Sequence, residues 1–405
     1  MDLVVIGLGY VGLPLAYNAA KNGHKVYGYD IDEKKIEVLK SGQTTTPDVK
    51  SKDVLDLIKS RQLFFDNKIP KFDSPIIVVI AVPTPLDVNR EPQLEMLISA
   101  CDMISTFITS DSLIINESTS YIGTLRNLIK PTIDRKSGAT GLKYAVAPER
   151  IDPGNSYWNL SNTPRVIGGI DEESSNESLA FYSKFCENVK VVSSPEVAEA
   201  AKLIENSFRL VNLALVNEIA QFSVNLGFST HEAITAAASK PFGFMPFYPG
   251  IGVGGHCIPV DPVYLSFSAA TVGKSAKLIE LAAEINFQTP TGIAERVRDL
   301  LGGNLAGKKI QIAGVAYKSG ISDTRESPAF NLLNELRNFG AAVTWFDPLV
   351  KQYGTESSQP LTDNCDLGII ITPHDQIDFS IWKKSNIQVL DLSPNSKNYG
   401  WAKFL

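Results

Sequence analysis

LVVIGLGYVGLPLA, Leu3 to Ala16, is the stretch on which the fold turns. Four apolar residues, Leu3 to Ile6, make a short strand that runs straight into Gly7, Gly9 and Gly12 at G-x-G-x-x-G spacing. Pro14 follows in the first turn of a helix, where a missing N–H costs little. Such glycines permit a tight turn, the approach of a pyrophosphate and close helix–strand contact. The helix start, with Tyr10 and Val11 ahead of Gly12, then offers backbone N–H groups to phosphates. A second strand, Lys25 to Tyr29, ends in Asp30, where an acid is placed to bind a ribose 2′-OH. A glycine turn with no ligand is the competing reading. Asp32 reads as a helix cap.

The βα pattern continues outward. Ile76 to Val82 is an unbroken apolar run, as in a parallel strand buried on both faces. It ends in Pro83–Thr84–Pro85, a rigid loop at a strand's carboxyl end, where ligands sit in such sheets. Leu113 to Asn116 leads into ESTSYIGT, whose Ser118 and Thr119 are candidate hydroxyls for the cofactor edge or a water. Tyr144 to Ala147 leads into PERIDPG, with Glu149 and Arg150 side by side. That pair reads either as a surface salt bridge or as part of the site. Val166 to Gly169 and Val189 to Val192 are further strands. One α/β domain, 1–194, results.

From Pro195 to Leu226 the pattern is one long helix, apolar over most of its circumference, and such a helix is expected to be buried. Lys202, Asn206 and Arg209, at i, i+4 and i+7, form a polar stripe. It serves either an internal network or a substrate. The run PFGFMPFYPG, Pro241 to Gly250, offers rings such as Tyr248 for stacking or for a core. It enters GVGGHCIPVDP, Gly252 to Pro262. There Gly254 and Gly255 let the backbone pass close to a ligand, and His256 precedes Cys257. A thiol in such a turn reads as a nucleophile or as a small core residue. Asp261 follows four residues on. Val263 to Leu301 reads as helices, closing a central domain, 195–303. A second βαβ pattern fills 304–405. Its first strand, Lys309 to Gly314, is followed by no second G-x-G-x-x-G but by a loop with Lys318, Asp323 and Arg325. Ser327–Pro328 starts a helix, and strands at Val343–Phe346, Gly368–Thr372 and Val389–Leu392 follow. The fold expected is α/β: two Rossmann-like parallel-sheet domains joined by a long central helix and a small helical domain.

Composition removes other classes. Acidic residues outnumber basic ones, 44 to 38, for a net charge of −6, so no nucleic-acid footprint shows. The four cysteines and four histidines have no metal-ligand or disulfide spacing, which predicts a reducing compartment and no metal. No apolar run reaches about 18 residues, and the chain enters a strand at once. A cytoplasmic protein is expected.

GLGYVGLPLA, APERIDPG, AKLIENSFRLVNLALVNE, GGHCIPVD and AYKSGISDTRESPA, in that order, resemble the UDP-glucose/GDP-mannose dehydrogenases over essentially the whole chain. The resemblance implies an NAD-dependent, four-electron oxidation of a sugar CH2OH to a carboxylate, serving polysaccharide biosynthesis, by a homodimer built on the middle helix. It implies Cys257 as nucleophile, with Lys202 and Asp261 moving protons and Lys202 with Asn206 stabilising oxyanions. Glu149 and Thr119 would handle hydrolysis and its water. It places Lys318 at the substrate diphosphate and Arg325 on the cofactor side, with Arg209, Tyr248, Gly250 and Gly254 lining the substrate site. Arg150 and His256 stand where the UDP-glucose branch has other residues. With PERIDPGN, TPRVIGG and PFYPG, they look most like the UDP-N-acetylglucosamine 6-dehydrogenases. UDP-N-acetylmannosamine is the alternative, ahead of UDP-glucose and GDP-mannose. Arg150 and His256 would then donate to an acetamido carbonyl, unless Arg150 turns to an acid such as Asp152 and His256 merely shapes the glycine turn. Rival readings are a single-step hydroxyacid or sugar-phosphate dehydrogenase and a non-catalytic NAD sensor.

Overall fold

The computed structural model describes residues 1–44, 46, 49–151, 155, 157–394 and 402–404, the last two through their backbone. The chain packs as two compact units, Met1–Glu205 with Phe267–Gly273, and Asn206–Ser266 with Lys274–Leu405.

In the first unit the elements run β1 Leu3–Ile6, α1 Gly12–Lys21, β2 Val26–Tyr29, α2 Glu33–Lys40, α3 Ser51–Lys59, β3 Leu63–Asp66 and β4 Ile77–Ile80. Then come α4 Glu95–Ile104, β5 Leu113–Asn116, α5 Lys130–Ser137, β6 Lys143–Val146, β7 Arg165–Gly169, α6 Glu172–Tyr182 and β8 Val189–Val191. The strands form one sheet in the order β3-β2-β1-β4-β5-β6-β7-β8. Every residue of β1, β4 and β5 is buried, which is why their sequences are apolar without alternation. Apolar clusters fill both faces of the sheet. Asp32 caps α2, accepting from the N–H groups of Lys34 and Lys35, as expected.

Two features differ from the sequence expectation, one a missed strand and the other a strand direction. The strand LFFD of β3 was not foreseen, because four residues with one polar end carry little pattern. The strand β7 runs antiparallel to β6, while the other neighbours are parallel. Parallel strands need a crossover, usually a helix. The described residues between β6 and β7 hold none, so the chain turns back instead.

The helix α7, Pro195–Ser223, starts in the first unit and continues into the second. It ends three residues before the expected Leu226. Its expected burial holds for one side only. Leu203, Leu210, Ala214, Val216 and Ala220 are buried, whereas Ile204 (58%), Phe208 (48%) and Leu215 (54%) are exposed in the single chain. The exposed three fall at i, i+4 and i+11 and share a face.

The second unit continues with α8 Thr230–Ala238, α9 Asp261–Thr271 (whose residues from Phe267 on belong to the first unit), α10 Lys277–Leu300, β9 Lys309–Ala313, α11 Pro328–Asn338 and β10 Ala342–Phe346. A small hairpin, β11 Gln352–Tyr353 and β12 Glu356–Ser357, precedes β13 Leu367–Ile370, α12 Ser380–Lys384, β14 Val389–Asp391 and β15 Lys403–Phe404. The second sheet has the order β10-β9-β13-β14-β15, all parallel. Ser327 caps α11 with Pro328 at its first position, the start that the sequence predicts.

Candidate active site

The glycine loop of the first unit assigns each glycine a separate task. Gly7 has φ +91°, and a Cβ there would lie 2.4 Å from the Ala81 carbonyl oxygen of the neighbouring β4 loop. A Cβ on Gly12 would lie 1.8 Å from the Gly7 carbonyl oxygen, so α1 can pack this closely only without one. A Cβ on Gly9 would meet nothing within 4 Å. The turn and the packing thus need Gly7 and Gly12, and Gly9 leaves open space for a ligand's phosphates at the start of α1. Tyr10 and Val11 are half-buried in that turn.

Asp30 ends β2 and is buried. Its Oδ2 accepts from the Leu8 N–H at 2.9 Å and from Lys35 Nζ at 2.8 Å, and Oδ1 accepts from the Asp32 N–H at 3.0 Å. Burial opposes the charge, but the Lys35 contact and these amides outweigh it and hold the carboxyl below its usual range. A carboxylate oxygen takes two donors, so Oδ1 has room for a ribose hydroxyl. The loops after β4 and β5 are tied together: Thr84 Oγ1 donates to the Thr119 carbonyl at 2.6 Å, and Ser118 Oγ to the Val82 carbonyl at 2.8 Å. Pro83 is exposed and Thr119 half-buried.

Glu149 is buried. Its Oε1 accepts from the N–H groups of Arg150 and Ile151 at 2.5 and 2.6 Å, and its Oε2 meets Arg165 Nη2 at 2.7 Å. The salt-bridge alternative, with the Arg150 side chain on Glu149, is not what the structure has. The Arg150 guanidinium grips Glu205 through Nε and Nη2 and donates from Nη1 to the Pro164 carbonyl. Turning to an acid was the alternative for this side chain, and the acid is Glu205; Asp152 lies outside the described residues. Lys202, half-buried, lies one helical turn before Asn206.

In the second unit Asn206 is buried and donates from Nδ2 to Asp261 Oδ2 at 2.5 Å. Asp261 opens α9, buried, and its N–H bonds the Cys257 carbonyl at 2.8 Å. Cys257 is half-buried and lies in the turn that feeds a helix N-terminus, where the helix favours negative charge. No disulfide joins any of the four cysteines. The entry to this loop is anchored by two asparagines that sequence reading passed over. The Gly250 N–H donates to Asn217 Oδ1 at 2.9 Å, and Asn217 Nδ2 donates to Asn286 Oδ1 at 3.0 Å. Asn286 in turn donates to the Leu210 and Ala282 carbonyls. Two buried asparagines in long apolar helices were the available signal.

The Gly254–Gly255 pair departs from expectation. The closeness it permits is taken up by the chain itself. A Cβ on either glycine would lie 2.9 Å from Tyr317, and the Gly255 N–H donates to the Arg325 carbonyl at 3.0 Å. Arg325 is exposed, with its guanidinium on Asp323, and Lys318 is half-buried. Tyr248 stacks on His231 with ring centroids 4.3 Å apart. Phe242 and Phe244 are exposed rather than core. Arg209 is exposed although it shares the face of buried Asn206. Among the described residues no group of His, Cys, Asp and Glu is arranged to hold a metal, and no helix is long and apolar enough to cross a membrane.

A glycine loop after β1 in one unit, and a cysteine loop with a buried Asn–Asp pair in the other, are features that a dinucleotide-dependent oxidoreductase would use. The chain belongs to the UDP-glucose/GDP-mannose dehydrogenase family. The family's NAD binding domain matches residues 1–186, its central domain 196–288 and its UDP binding domain 311–391. It is therefore an NAD-dependent UDP-sugar dehydrogenase. It is 34% identical to the UDP-N-acetyl-D-mannosamine dehydrogenase of Methanocaldococcus jannaschii, over 92% of this chain and 86% of that one. It is 32% identical to the UDP-N-acetyl-D-glucosamine 6-dehydrogenase of Salmonella typhi, over 93% and 90%. The solved UDP-D-ManNAc dehydrogenase of Pyrococcus horikoshii superposes with TM-score 0.89 at 30% identity, covering 100% of this chain and 99% of that one.

Proposed function

We propose that the protein oxidises the C6 alcohol of a UDP-N-acetylhexosamine to the uronic acid through a covalent intermediate on Cys257. The observation that carries the reading is the buried Asn206–Asp261 bond, with Asp261 also bonded to the Cys257 carbonyl. NAD+ would supply the hydride acceptor, one molecule for each of the two oxidations. The glycine loop would hold its pyrophosphate and Asp30 its ribose.

The protein's own groups divide the remaining work. Lys202 and Asp261 take and return the alcohol proton. Cys257 adds its sulfur to the aldehyde carbon, and the aldehyde oxygen takes up a proton to give a thiohemiacetal. Lys202 and the Asn206 amide stabilise charge on that oxygen. Loss of the second hydride and of the hydroxyl proton leaves a thioester. Glu149 withdraws a proton from water, with Thr119 placing it, and the C–S bond breaks to release carboxylate and thiol. Lys318 binds the diphosphate of the substrate.

The acetamido sugar is supported by the relatives, whose names carry it, and by the resemblance of PERIDPG, TPRVIGG and PFYPG. Arg150 supports it less than its sequence position suggests, because Glu205 and Pro164 already engage three of its N–H groups. The resemblance favours the gluco epimer. The manno epimer is favoured by the Methanocaldococcus jannaschii and Pyrococcus horikoshii relatives. The exposed face of α7 supports a homodimer.

Cys257→Ser tests the mechanism. The fold should persist, and uronate release should fall on the order of a thousandfold or more. Near wild-type uronate production in that variant sinks the covalent route. NADH yield from the four UDP- and GDP-sugars at equal concentration tests the substrate. Preference for UDP-glucose or GDP-mannose refutes the acetamido class, and the better UDP-N-acetylhexosamine names the epimer.

A further inference from the structure

Glu149 does not hold Arg165 alone. Arg165 opens β7, is 4% exposed, and is shared by two carboxylates. Its Nη2 meets Glu149 at 2.7 Å and its Nη1 meets Glu117 Oε1 at 2.6 Å, with a further bond from Nη1 to the Ala147 carbonyl at 3.2 Å. Glu117 is the first residue after β5. The Tyr182 hydroxyl, from α6, donates to the same Glu117 oxygen, and the Tyr182 ring lies 4.6 Å from the guanidinium carbon. The buried Cys186 thiol is the other titratable group facing this cluster. Beyond Glu149 comes the Arg150–Glu205 pair.

One guanidinium between two buried carboxylates leaves one negative charge uncompensated when both are ionised. A pair built for stability alone would satisfy every oxygen. Here Glu117 Oε2 is buried and has no hydrogen-bond partner among the described residues. A bare charged oxygen in that position costs far more than a neutral one. The cluster therefore favours one proton shared between the two acids, and the oxygen lacking partners assigns it to Glu117. Burial, the largest influence, pushes Glu117 up to about 7.

We propose that Glu117 is a positioning residue for Glu149: acting through Arg165, it decides how much of the guanidinium's charge Glu149 feels, and so how strong a base Glu149 is. This rests on the reading of Glu149 as the group that activates water. While Glu117 holds its proton, Arg165 pairs with Glu149 alone and weakens it as a base. When Glu117 ionises, the two acids divide the cation and Glu149 gains proton affinity. The hydrolytic step then strengthens near neutral pH, where the proton on Glu117 is lost.

Glu117→Gln keeps the acceptor for Arg165 and fixes the neutral state. In that variant Glu149 stays paired one-to-one, so the acidic limb of acid release moves to lower pH by about half a unit to one unit. The rate above neutrality falls about three- to tenfold. Intact-mass measurement during turnover then shows acyl-enzyme on Cys257, while KM for the UDP-sugar and for NAD+ holds. Tyr182→Phe removes a donor from Glu117, raises its proton affinity, and so moves the rise in acid release that follows Glu117 ionisation to higher pH, opposite to the shift in Glu117→Gln. It carries the test if Glu117→Gln does not fold. Glu149→Gln is run beside them. Acyl-enzyme in Glu149→Gln, with wild-type pH profiles in Glu117→Gln and Tyr182→Phe, overturns the positioning role and leaves Glu149 as base. No acyl-enzyme in Glu149→Gln overturns the reading of Glu149 itself, and the positioning role with it. Uniform loss across all steps, with a fallen Tm and an unmoved pH profile, marks Glu117 as structural and also overturns the proposal.

Discussion

Gly9→Ala and Gly12→Ala sit three residues apart in one loop and should fail in opposite ways. The methyl of Gly12→Ala would lie 1.8 Å from the Gly7 carbonyl oxygen and 3.2 Å from the Ala81 side chain. The first figure is well inside van der Waals contact, and the atom it meets is backbone. Either α1 moves off the sheet or the Gly7 turn opens. Overpacking of this kind costs about 1–3 kcal/mol, occasionally more. In a unit of this size that lowers Tm by about 2–12 °C. Gly9→Ala meets nothing within 4 Å and has no positive φ. Its Tm should stay within about 1–2 °C of wild type, the size of an unexceptional surface change. Its methyl enters the space left for the pyrophosphate, and KM for NAD+ should rise at least about tenfold, or 1.4 kcal/mol. Differential scanning fluorimetry without NAD+ and steady-state kinetics with it separate the two effects. Equal Tm losses, or an unchanged KM for NAD+ in Gly9→Ala, would refute this division of labour.

Asp30 should make NAD+ beat NADP+ by at least about tenfold in kcat/KM, because a carboxylate repels a 2′-phosphate; comparable values for the two would show that it does not meet the ribose. The exposed Ile204–Phe208–Leu215 face of α7 should be covered by a second copy. Light scattering at micromolar concentration should give a dimer, and Phe208→Glu with Leu215→Glu a monomer; a monomeric wild type contradicts this. Asp347 is fully buried, which opposes its charge, but contact with His374 and four backbone N–H groups outweighs burial and pulls its carboxyl down to about 2. Its folded value lies below its unfolded one. Its stabilisation, about 2 kcal/mol, is therefore present above pH 4 and lost as pH falls towards 2. Asp347→Asn should melt lower than wild type at pH 7 and approach it at acid pH; a constant difference across pH would contradict the assignment.

What was legible in the sequence was what one segment can say by itself. The apolar runs of β1, β4 and β5 announce buried strands, the glycine spacing announces the loop after β1, and Ser327–Pro328 announces α11. The missed features need two distant segments read together. Glu117 is a lone acid after a strand, and Arg165 a lone base before one. Only the antiparallel placement of β7 beside β6 brings Arg165 to Glu149 and Glu117. Tyr317 gives no local sign that Gly254 and Gly255 are shaped around it, and nothing near Arg150 points to Glu205, fifty-five positions on. Local pattern carries secondary structure, whereas side-chain partnership depends on sheet order and strand direction, which pattern specifies weakly.

The two sheets also share a device that no motif search reveals. In the first, Gly7 follows β1 with positive φ, and Asp30 at the end of β2 accepts the Leu8 N–H. In the second, Gly314 follows β9 with φ +82°, and Asp347, just past β10, accepts the Val315 and Ala316 N–H groups. Each acid straps the turn after its neighbouring strand, and each glycine sits where a Cβ would strike a carbonyl of the next loop, that of Ala81 or of Thr372. The difference lies in saturation. Asp30 keeps room on one oxygen, while Asp347 gives Oδ2 to two amides and His374 and Oδ1 to the Leu349 and Val350 amides. A carboxylate with both oxygens so occupied has no place for a ribose hydroxyl. The second sheet therefore keeps the strap with its acid fully occupied, while Asp30 keeps one oxygen with room for a further donor. The loop after β9 carries Tyr317, Lys318 and Arg325 where the first sheet's loop has the open glycine Gly9.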